Sequence, residues 1–179
     1  MVQALVGSMR PPRSARVTMT DVVYVLDALV RPVKVDGGAR PATRAHLDLL
    51  VDWHLQFGVD AGLPMHDAKA SVLDRLDHGG LWLWEVGTSP VSMAGHAAPV
   101  QTPSGMVGRI GPVYTPAALR GRGYGSAVTA AVVDQLAPRC AAVMLFADAA
   151  NPASNSIYRA LGFRATGEVV ETEIAAATR

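Results

Sequence analysis

Three glycines at alternate positions form the stretch of this sequence that points most directly to chemistry. Gly121, Gly123 and Gly125 lie between a strand-like apolar segment and an apolar segment with helical character. Because glycine has no Cβ, the backbone can turn there so that its N–H groups converge at a helix N-terminus, which favours an anion. Arg120 and Arg122 add positive charges whose planar donors match a phosphate. The stretch predicts a phosphate or diphosphate site, with a merely tight turn as the alternative.

The spacing of these glycines excludes two common nucleotide-binding motifs. Tyr124 and Ser126 flank Gly125, so no Gly-Lys-Ser/Thr follows and the stretch is not a Walker loop. The G-x-G-x-G spacing also differs from the G-x-G-x-x-G of dinucleotide-binding folds. A different kind of phosphate ligand is therefore expected.

A proline interrupts the strand that leads into the glycine stretch. Gly111-Pro112 lies within the apolar run Met106–Tyr114. Proline donates no hydrogen bond to a β-ladder, so it belongs at a sheet edge or where two strands separate. A separation would leave backbone groups of Val113 and Thr115 free to pair with an amide-bearing ligand. The sequence leaves both interpretations open.

The order of the predicted elements indicates a mixed α/β domain. A strand and two helices come first, followed by a hairpin, a third strand and two strand–helix–strand units. Those units require parallel pairing, whereas the strands of the hairpin can be antiparallel. The predicted strands are 22–30, 81–86, 90–96, 106–114, 141–147 and 163–174, and the predicted helices are 43–57, 67–78, 123–136 and 151–161.

Two motifs, taken together, resemble the signatures of the GNAT superfamily of N-acetyltransferases. The first is Arg120-x-x-Gly123-x-Gly125 after a strand, and the second runs from Asn151-Pro-Ala-Ser-Asn155-Ser-Ile-Tyr158 to Gly162-Phe163. They occur in order, separated by a helix–strand unit, and the resemblance covers about residues 40–174. It implies a mixed, partly parallel central sheet flanked by helices, whose central strands splay apart to form an acyl-CoA cleft.

The resemblance also implies acetyl-CoA as co-substrate and no metal. By the family pattern, backbone groups of Val113, Tyr114 and Thr115 hold the pantetheine arm and the acetyl carbonyl. Asn151 and Asn155 touch the pantetheine or adenine side, and residues 43–80 form much of the acceptor pocket. The diphosphate is bound by the glycine stretch, which comprises Arg120, Gly121, Arg122, Gly123, Tyr124, Gly125 and Ser126.

The resemblance gives Tyr158 a catalytic role, as the acid that protonates the departing thiolate. The base that deprotonates the amine is less defined. Glu85 is the first candidate for this base, because a charged residue in an apolar strand is unusual and can mark a functional site. Asp148, His96 and water are the alternatives.

Composition and charge exclude several other classes of protein. The net charge is +1 and the pI about 8.0, which is not the charge of a dedicated nucleic-acid binder. Cys140 is the single cysteine, so the chain makes no internal disulfide and no cysteine-rich metal site, and a cytoplasmic location is expected. No apolar run approaches the roughly 18 residues that span a bilayer. No secretory signal is recognised in the first sixteen residues, which we expect to be a tail.

These observations together predict an enzyme of 179 residues. Residues 1–38 are expected to be an extension carrying an extra strand, and residues 39–179 the N-acetyltransferase domain. The expected reaction moves an acetyl group from coenzyme A to the amine of a small molecule, a peptide N-terminus or a lysine. The alternative is a non-catalytic acyl-CoA-binding regulatory module. A homodimer is also considered.

Overall fold

The computed structural model describes residues 13–176, which form an eight-stranded sheet flanked by α-helices. The strands are β1 Arg13–Leu26, β2 Gly38–Pro41, β3 Leu81–Val86, β4 Ser89–His96, β5 Val100–Thr102, β6 Gly105–Tyr114, β7 Ala142–Asp148 and β8 Phe163–Ala176. The helices are α1 Leu47–Ala61, α2 Ala68–Asp77, α3 Tyr124–Leu136 and α4 Pro152–Ala160.

The sheet mixes parallel and antiparallel pairs. The strands follow the order β2-β3-β4-β6-β7-β1-β8, and β5 pairs with β6 outside that row. β6 and β7 are parallel, and they are joined by α3, as a parallel pair requires. The two strands of the predicted hairpin, β3 and β4, are antiparallel. This architecture confirms the fold class predicted from the sequence.

Helices cover the two faces of the sheet with separate hydrophobic cores. Leu81 and Leu83 of β3 lie in the core that also holds buried residues of α1 and α2. Trp82 and Trp84 pack against the larger core, which contains residues of α3 and α4. Successive side chains of a strand point to opposite faces, so β3 contributes to both cores. The tryptophans of β3 are thus packing residues.

The first strand is longer than predicted, and it both begins and ends earlier in the chain. The local pattern predicted 22–30, but β1 pairs with β8 from Arg13↔Ala176 to Leu26↔Phe163. Residues 13–16, expected to be a tail, belong to this strand, whereas residues 1–12 fall outside the described residues. Pairing with a strand far along the chain, which no local pattern reveals, fixes both ends of β1.

The position of β1 also corrects one predicted pairing. β1 lies between β7 and β8 and is antiparallel to both, so these two strands do not pair directly across α4. The expectation of a parallel neighbour was correct for the unit β6–α3–β7 and wrong for the unit β7–α4–β8. The division of the chain at residue 38 stays a prediction.

The first helix begins later than predicted. Thr43 and His46 form a capping box around a short 3-10 turn, and α1 starts at Leu47. The buried face of α1 includes Leu50, Trp53 and His54, whereas Leu55, which follows the same helical spacing, is 43% exposed. Within residues 13–176 no helix is long and apolar enough to cross a membrane.

Candidate functional site

The central strands β6 and β7 separate about halfway along their length. Their pairing runs from Val107↔Ala142 to Ile110↔Leu145 and stops there. Beyond that point β6 pairs only with β4, through Val113 and Tyr114, and the last residues of β7 pair only with β1. Pro112 lies two residues after the last pair and has no N–H to continue the ladder. Of the two interpretations of this proline, the structure supports a separation of strands.

Two backbone carbonyls beside the gap already have partners. The Tyr114 carbonyl accepts a hydrogen bond of 2.9 Å from the Ser92 hydroxyl, and the Thr115 carbonyl accepts one of 2.9 Å from Arg120 Nε. A carbonyl has two lone pairs, so each could accept one further bond. The predicted contact of Val113, Tyr114 and Thr115 with a pantetheine arm stays a prediction.

The glycine stretch forms a turn with left-handed backbone at two of its glycines. Gly121 has φ 79° and Gly123 has φ 83°, a region that favours glycine. Gly123 is the N-cap of α3, and no side chain of the described residues caps the helix there. The first N–H groups of a helix have no partner within the helix. The start of α3 therefore offers free donors and the positive end of a helix dipole, as an anion site requires.

Gly125, in the first turn of α3, lies close to the end of β6. A Cβ at this position would stand 3.3 Å from Thr115 Oγ1, so a side chain here would crowd the junction of strand and helix. The buried neighbour Tyr124 and the partly buried Ser126 complete the turn. The helix start and the gap are thus brought together by the closeness of β6 and α3.

The two arginines of the glycine stretch differ in their surroundings. Arg120 is ion-paired with Asp60 of α1, and its guanidinium carbon lies 6.0 Å from the centre of the Tyr114 ring. Arg122 is exposed and forms no ion pair within residues 13–176. Of the two cations predicted to bind phosphate, Arg122 is the one left free to do so.

Tyr158 lies on α4 with its ring in the larger core. It is 9% exposed, and its ring centre is 6.1 Å from those of Tyr24 and Phe163. Its hydroxyl forms no hydrogen bond to any described residue. Burial raises the pKa of this phenol to about 12. Tyr158 therefore keeps its proton throughout the neutral range and has an unused donor.

The two asparagines of the second motif, Asn151 and Asn155, both form hydrogen bonds within the protein. Asn151 is the N-cap of α4, where its side-chain oxygen accepts a bond of 3.1 Å from the Ser154 N–H. Asn155 is 4% exposed and donates from Nδ2 to the carbonyls of Asp148 and Asn151. Its Oδ1 accepts a bond of 2.8 Å from the Tyr24 hydroxyl. Contact of either residue with coenzyme A stays a prediction.

The three candidate bases lie in different places. Glu85 is paired at 2.9 Å with Arg40, and β4 and β6 separate its strand from the gap. His96 is fully buried opposite Ile110, and burial lowers its pKa, with Arg139 and His78 acting in the same direction. Asp148 ends β7, and its Oδ1 accepts a bond of 2.8 Å from the Ala150 N–H. The structure places Asp148, and not Glu85, next to the α4 motif.

One residue of this region was missed by sequence reasoning. Tyr24 was counted only as part of a strand, yet it is 0% exposed and contacts both Asn155 and Tyr158. The one available signal was a lone tyrosine in an otherwise aliphatic run, which is too common to interpret. No group of His, Cys, Asp or Glu within residues 13–176 could hold a metal ion.

Comparison with known families and structures adds to this geometry. The profile of the family described as FR47-like protein matches residues 96–172. A comparison with curated protein sequences found no match.

Several solved structures share the fold. A GNAT-family protein named as an acetyltransferase from Novosphingobium aromaticivorans DSM 12444 is 20% identical, with a TM-score of 0.68 over 95% of this chain and 71% of that one. One from Agrobacterium tumefaciens strain C58 is 27% identical, with a TM-score of 0.58 over 73% of this chain and 96% of that one. A third, from Clostridium acetobutylicum and solved with acetyl-CoA, is 21% identical, with a TM-score of 0.59 over 72% and 90% of the two chains.

The matched segment 96–172 contains the gap, the glycine stretch and the α4 motif, and it ends within β8. The same segment carries both motifs that resemble the GNAT signatures. The fold is shared with several acetyltransferases, one of them named as a GNAT-family protein, and the FR47-like profile covers the segment that holds both motifs. These findings support an acyltransferase of the GNAT type.

Proposed function

We propose that this protein transfers an acetyl group from acetyl-CoA directly to an amine. The observation that carries the proposal is the gap between β6 and β7, which opens beside the free N-terminus of α3. One of the similar structures was solved with acetyl-CoA, which supports that co-substrate here. The comparisons do not favour the non-catalytic alternative.

The residues of the glycine stretch suit the diphosphate of coenzyme A. Uncapped N–H groups at the start of α3, two glycines with positive φ and the unpaired Arg122 would hold its charge. With the diphosphate held there, the pantetheine arm would enter the gap and add hydrogen bonds along β6, as an additional strand would. Bound acetyl-CoA supplies an acyl group activated as a thioester.

Tyr158 is the proposed proton donor to the departing sulfur. A free thiol has a pKa near ~8.5, well below the value of about 12 for this buried phenol. Burial in the same gap would also raise the pKa of the thiol, because desolvation disfavours every anion there. The phenol therefore acts first as a hydrogen-bond donor that stabilises the developing thiolate, and proton transfer completes the step.

The proton of the attacking amine is assigned to no side chain. Glu85 as the base stays a prediction, since Arg40 neutralises it at a distance from the gap. Water entering through the gap is sufficient for an amine that binds partly deprotonated. The acceptor pocket over residues 43–80 is likewise proposed, and the class of amine is left to experiment.

A thiol-release assay with acetyl-CoA and a panel of amines tests the proposal. The panel contains a diamine, an aminoglycoside, a peptide with a free N-terminus and a lysine peptide. We expect release with one class, and Tyr158→Phe should lower its kcat about 100-fold or more while changing the dissociation constant of acetyl-CoA less than about threefold. Ile157→Val, a change at the exposed neighbour on α4, is the control and should behave as the wild type.

Two results would contradict the proposal. Absence of acetyl-CoA binding by calorimetry would remove the co-substrate assignment. Full turnover in the Tyr158→Phe variant would remove Tyr158 from the mechanism while leaving the transferase assignment in place.

A further inference from the structure

A buried polar network links the N-terminal strand β1 to the helix that carries Tyr158. The Tyr24 hydroxyl donates a bond of 2.8 Å to Asn155 Oδ1 and accepts one of 3.2 Å from Arg159 Nε. Tyr24 is 0% exposed and Asn155 is 4% exposed, so neither can exchange this bond for water. Tyr24 lies outside residues 96–172, the segment matched by the family profile, and therefore is not part of the recognised motifs.

The direction of these hydrogen bonds is fixed by the partners of Asn155. Asn155 Nδ2 donates to the Asp148 carbonyl at 2.8 Å and to the Asn151 carbonyl at 2.7 Å. An amide nitrogen has two hydrogens, and both are used. Oδ1 must therefore face Tyr24, where it can only accept. Removing the Tyr24 hydroxyl would leave a buried acceptor without a partner, because no alternative rotamer of the amide satisfies the same bonds.

The linked residues lie on the face of α4 that also carries the phenol. Asn155, Tyr158 and Arg159 are spaced by three and four residues, so they are neighbours on one side of the helix. The rings of Tyr24 and Tyr158 pack with their centres 6.1 Å apart at an angle of 53°. One side chain of β1 thus contacts all three residues and determines how this face of α4 sits against the sheet.

The segment after β1 holds the other end of the same helix. The Asp27 N–H donates to the Gly162 carbonyl at 3.1 Å, and the Val30 N–H donates to the Leu161 carbonyl at 3.0 Å. A Cβ at Gly162 would lie 1.9 Å from the Ala28 carbonyl oxygen, so the two segments are in close contact. Residues 24–30 therefore restrain α4 at its buried face and at its C-terminal end.

We propose that Tyr24 is a positioning residue for Tyr158: its hydroxyl, held between Asn155 and Arg159, fixes α4 against β1 and so sets the place of the Tyr158 phenol at the gap. This inference rests on the proposed function, because it assigns Tyr24 an effect through the proton donor. Small misplacements of a reacting group lower turnover strongly. Binding of coenzyme A should change less, because its diphosphate is proposed to bind at the start of α3.

A double-mutant cycle on kcat tests the inference in the full chain. Tyr24→Phe keeps the ring and removes the hydroxyl, and it should lower kcat about tenfold with the KM for acetyl-CoA within about twofold of the wild type. In the Tyr158→Phe background the same change should have no further effect on kcat, because the group it positions is gone. A residue that serves only folding would lower kcat by the same factor in both backgrounds.

Two further variants make the test decisive. Arg159→Met removes one of the two bonds from the exposed side of α4 and should lower kcat about threefold, again only when Tyr158 is present. Val22→Ala removes packing from β1 without touching Asn155, so it should lower the melting temperature while leaving kcat unchanged.

The outcomes separate this inference from the proposed function. If Tyr158→Phe lowers kcat but Tyr24→Phe acts equally in both backgrounds, the positioning role of Tyr24 is overturned and the proton donor stands. If Tyr24→Phe leaves kcat unchanged, the inference also fails. If Tyr158→Phe itself leaves kcat unchanged, the assignment of the donor fails, and the positioning role fails with it.

Discussion

The region around Tyr158 and the region around Glu85 differ in whether the polar group of the side chain already has a partner. The sequence marks both as catalytic candidates, Glu85 in an apolar strand and Tyr158 in the second motif. Tyr158 is 9% exposed, and its hydroxyl forms no hydrogen bond to a described residue. The Glu85 carboxylate is held by Arg40, in a strand paired on both sides. An unused hydrogen-bond donor can serve a ligand, whereas a carboxylate in an ion pair is already engaged in the structure.

The largest expected effect concerns the ionisation of Tyr158. Its pKa is raised from 10.0 to about 12 in the folded protein, so between these values the unfolded chain has lost a proton that the folded chain retains. Rising pH therefore favours unfolding, and the free energy of unfolding should fall by about 2 kcal/mol between pH 10 and 12. This contribution is fully present below pH ~10. It should be missing in Tyr158→Phe.

Urea denaturation of both proteins at pH values from 9 to 12 measures this difference. Comparing the variant with the wild type removes the contribution of the other tyrosines. Parallel stability curves would show that the phenol is well solvated, which would weaken its contrast with Glu85.

A smaller effect is expected when the two arginines of the glycine stretch are compared. Arg122 has no ion pair within the described chain, whereas Arg120 is held by Asp60 and by the Thr115 carbonyl. Arg122→Gln should weaken coenzyme A binding about tenfold, or about 1.4 kcal/mol, because a charge-assisted bond to phosphate is lost. Arg120→Gln should weaken it less than about threefold by the same reasoning.

Calorimetry with coenzyme A gives both dissociation constants. Arg44→Gln, at an exposed arginine paired with Asp77, controls for the change in net charge. An equal loss of affinity for all three variants would indicate general electrostatic attraction instead of a contact at the start of α3.

The smallest effect is expected at Glu85. Because its carboxylate is paired with Arg40 and separated from the gap by β4 and β6, Glu85→Gln should change kcat less than about threefold. The measurement is a profile of kcat against pH for the variant and the wild type. A loss of about 100-fold with a missing acidic limb would restore Glu85 as the base and remove the contrast with Tyr158.

Local patterns predicted the second half of the chain better than the first. Gly121 and Gly123, just before α3, have backbone conformations that other residues rarely adopt, so their spacing carries information by itself. The apolar run at 141–147 was correctly predicted as a strand, in which Val143, Leu145 and Ala147 are buried and Phe146 is exposed. The helix predicted to begin at residue 67 does start there, with Asp67 as the N-cap that accepts a bond from the Ala70 N–H.

The errors occur where partners far apart in the sequence decide the structure. The ends of β1 depend on β8, more than a hundred residues away, and its local pattern suggested a later strand. Leu55 follows the helical spacing of its neighbours but points outward, because the position of α1 on the sheet decides which part of its apolar face is covered. The hydrogen bonds of the Asn155 side chain to three segments were likewise not foreseen from the motif, and its contact with coenzyme A stays a prediction.

The sequence by itself indicated where the chain can turn, where α2, α3 and α4 start and which residues are candidates for holding a phosphate. These are properties of single residues and their close neighbours, such as the missing Cβ of Gly123 or the capping side chain of Asn151. The tertiary structure alone decided that β6 and β7 separate after Ile110, that Arg122 is left free while Arg120 is not, and that Tyr24 reaches the helix of Tyr158. Such outcomes depend on competition between distant segments for the same hydrogen bonds and the same buried space, and no local pattern records that competition.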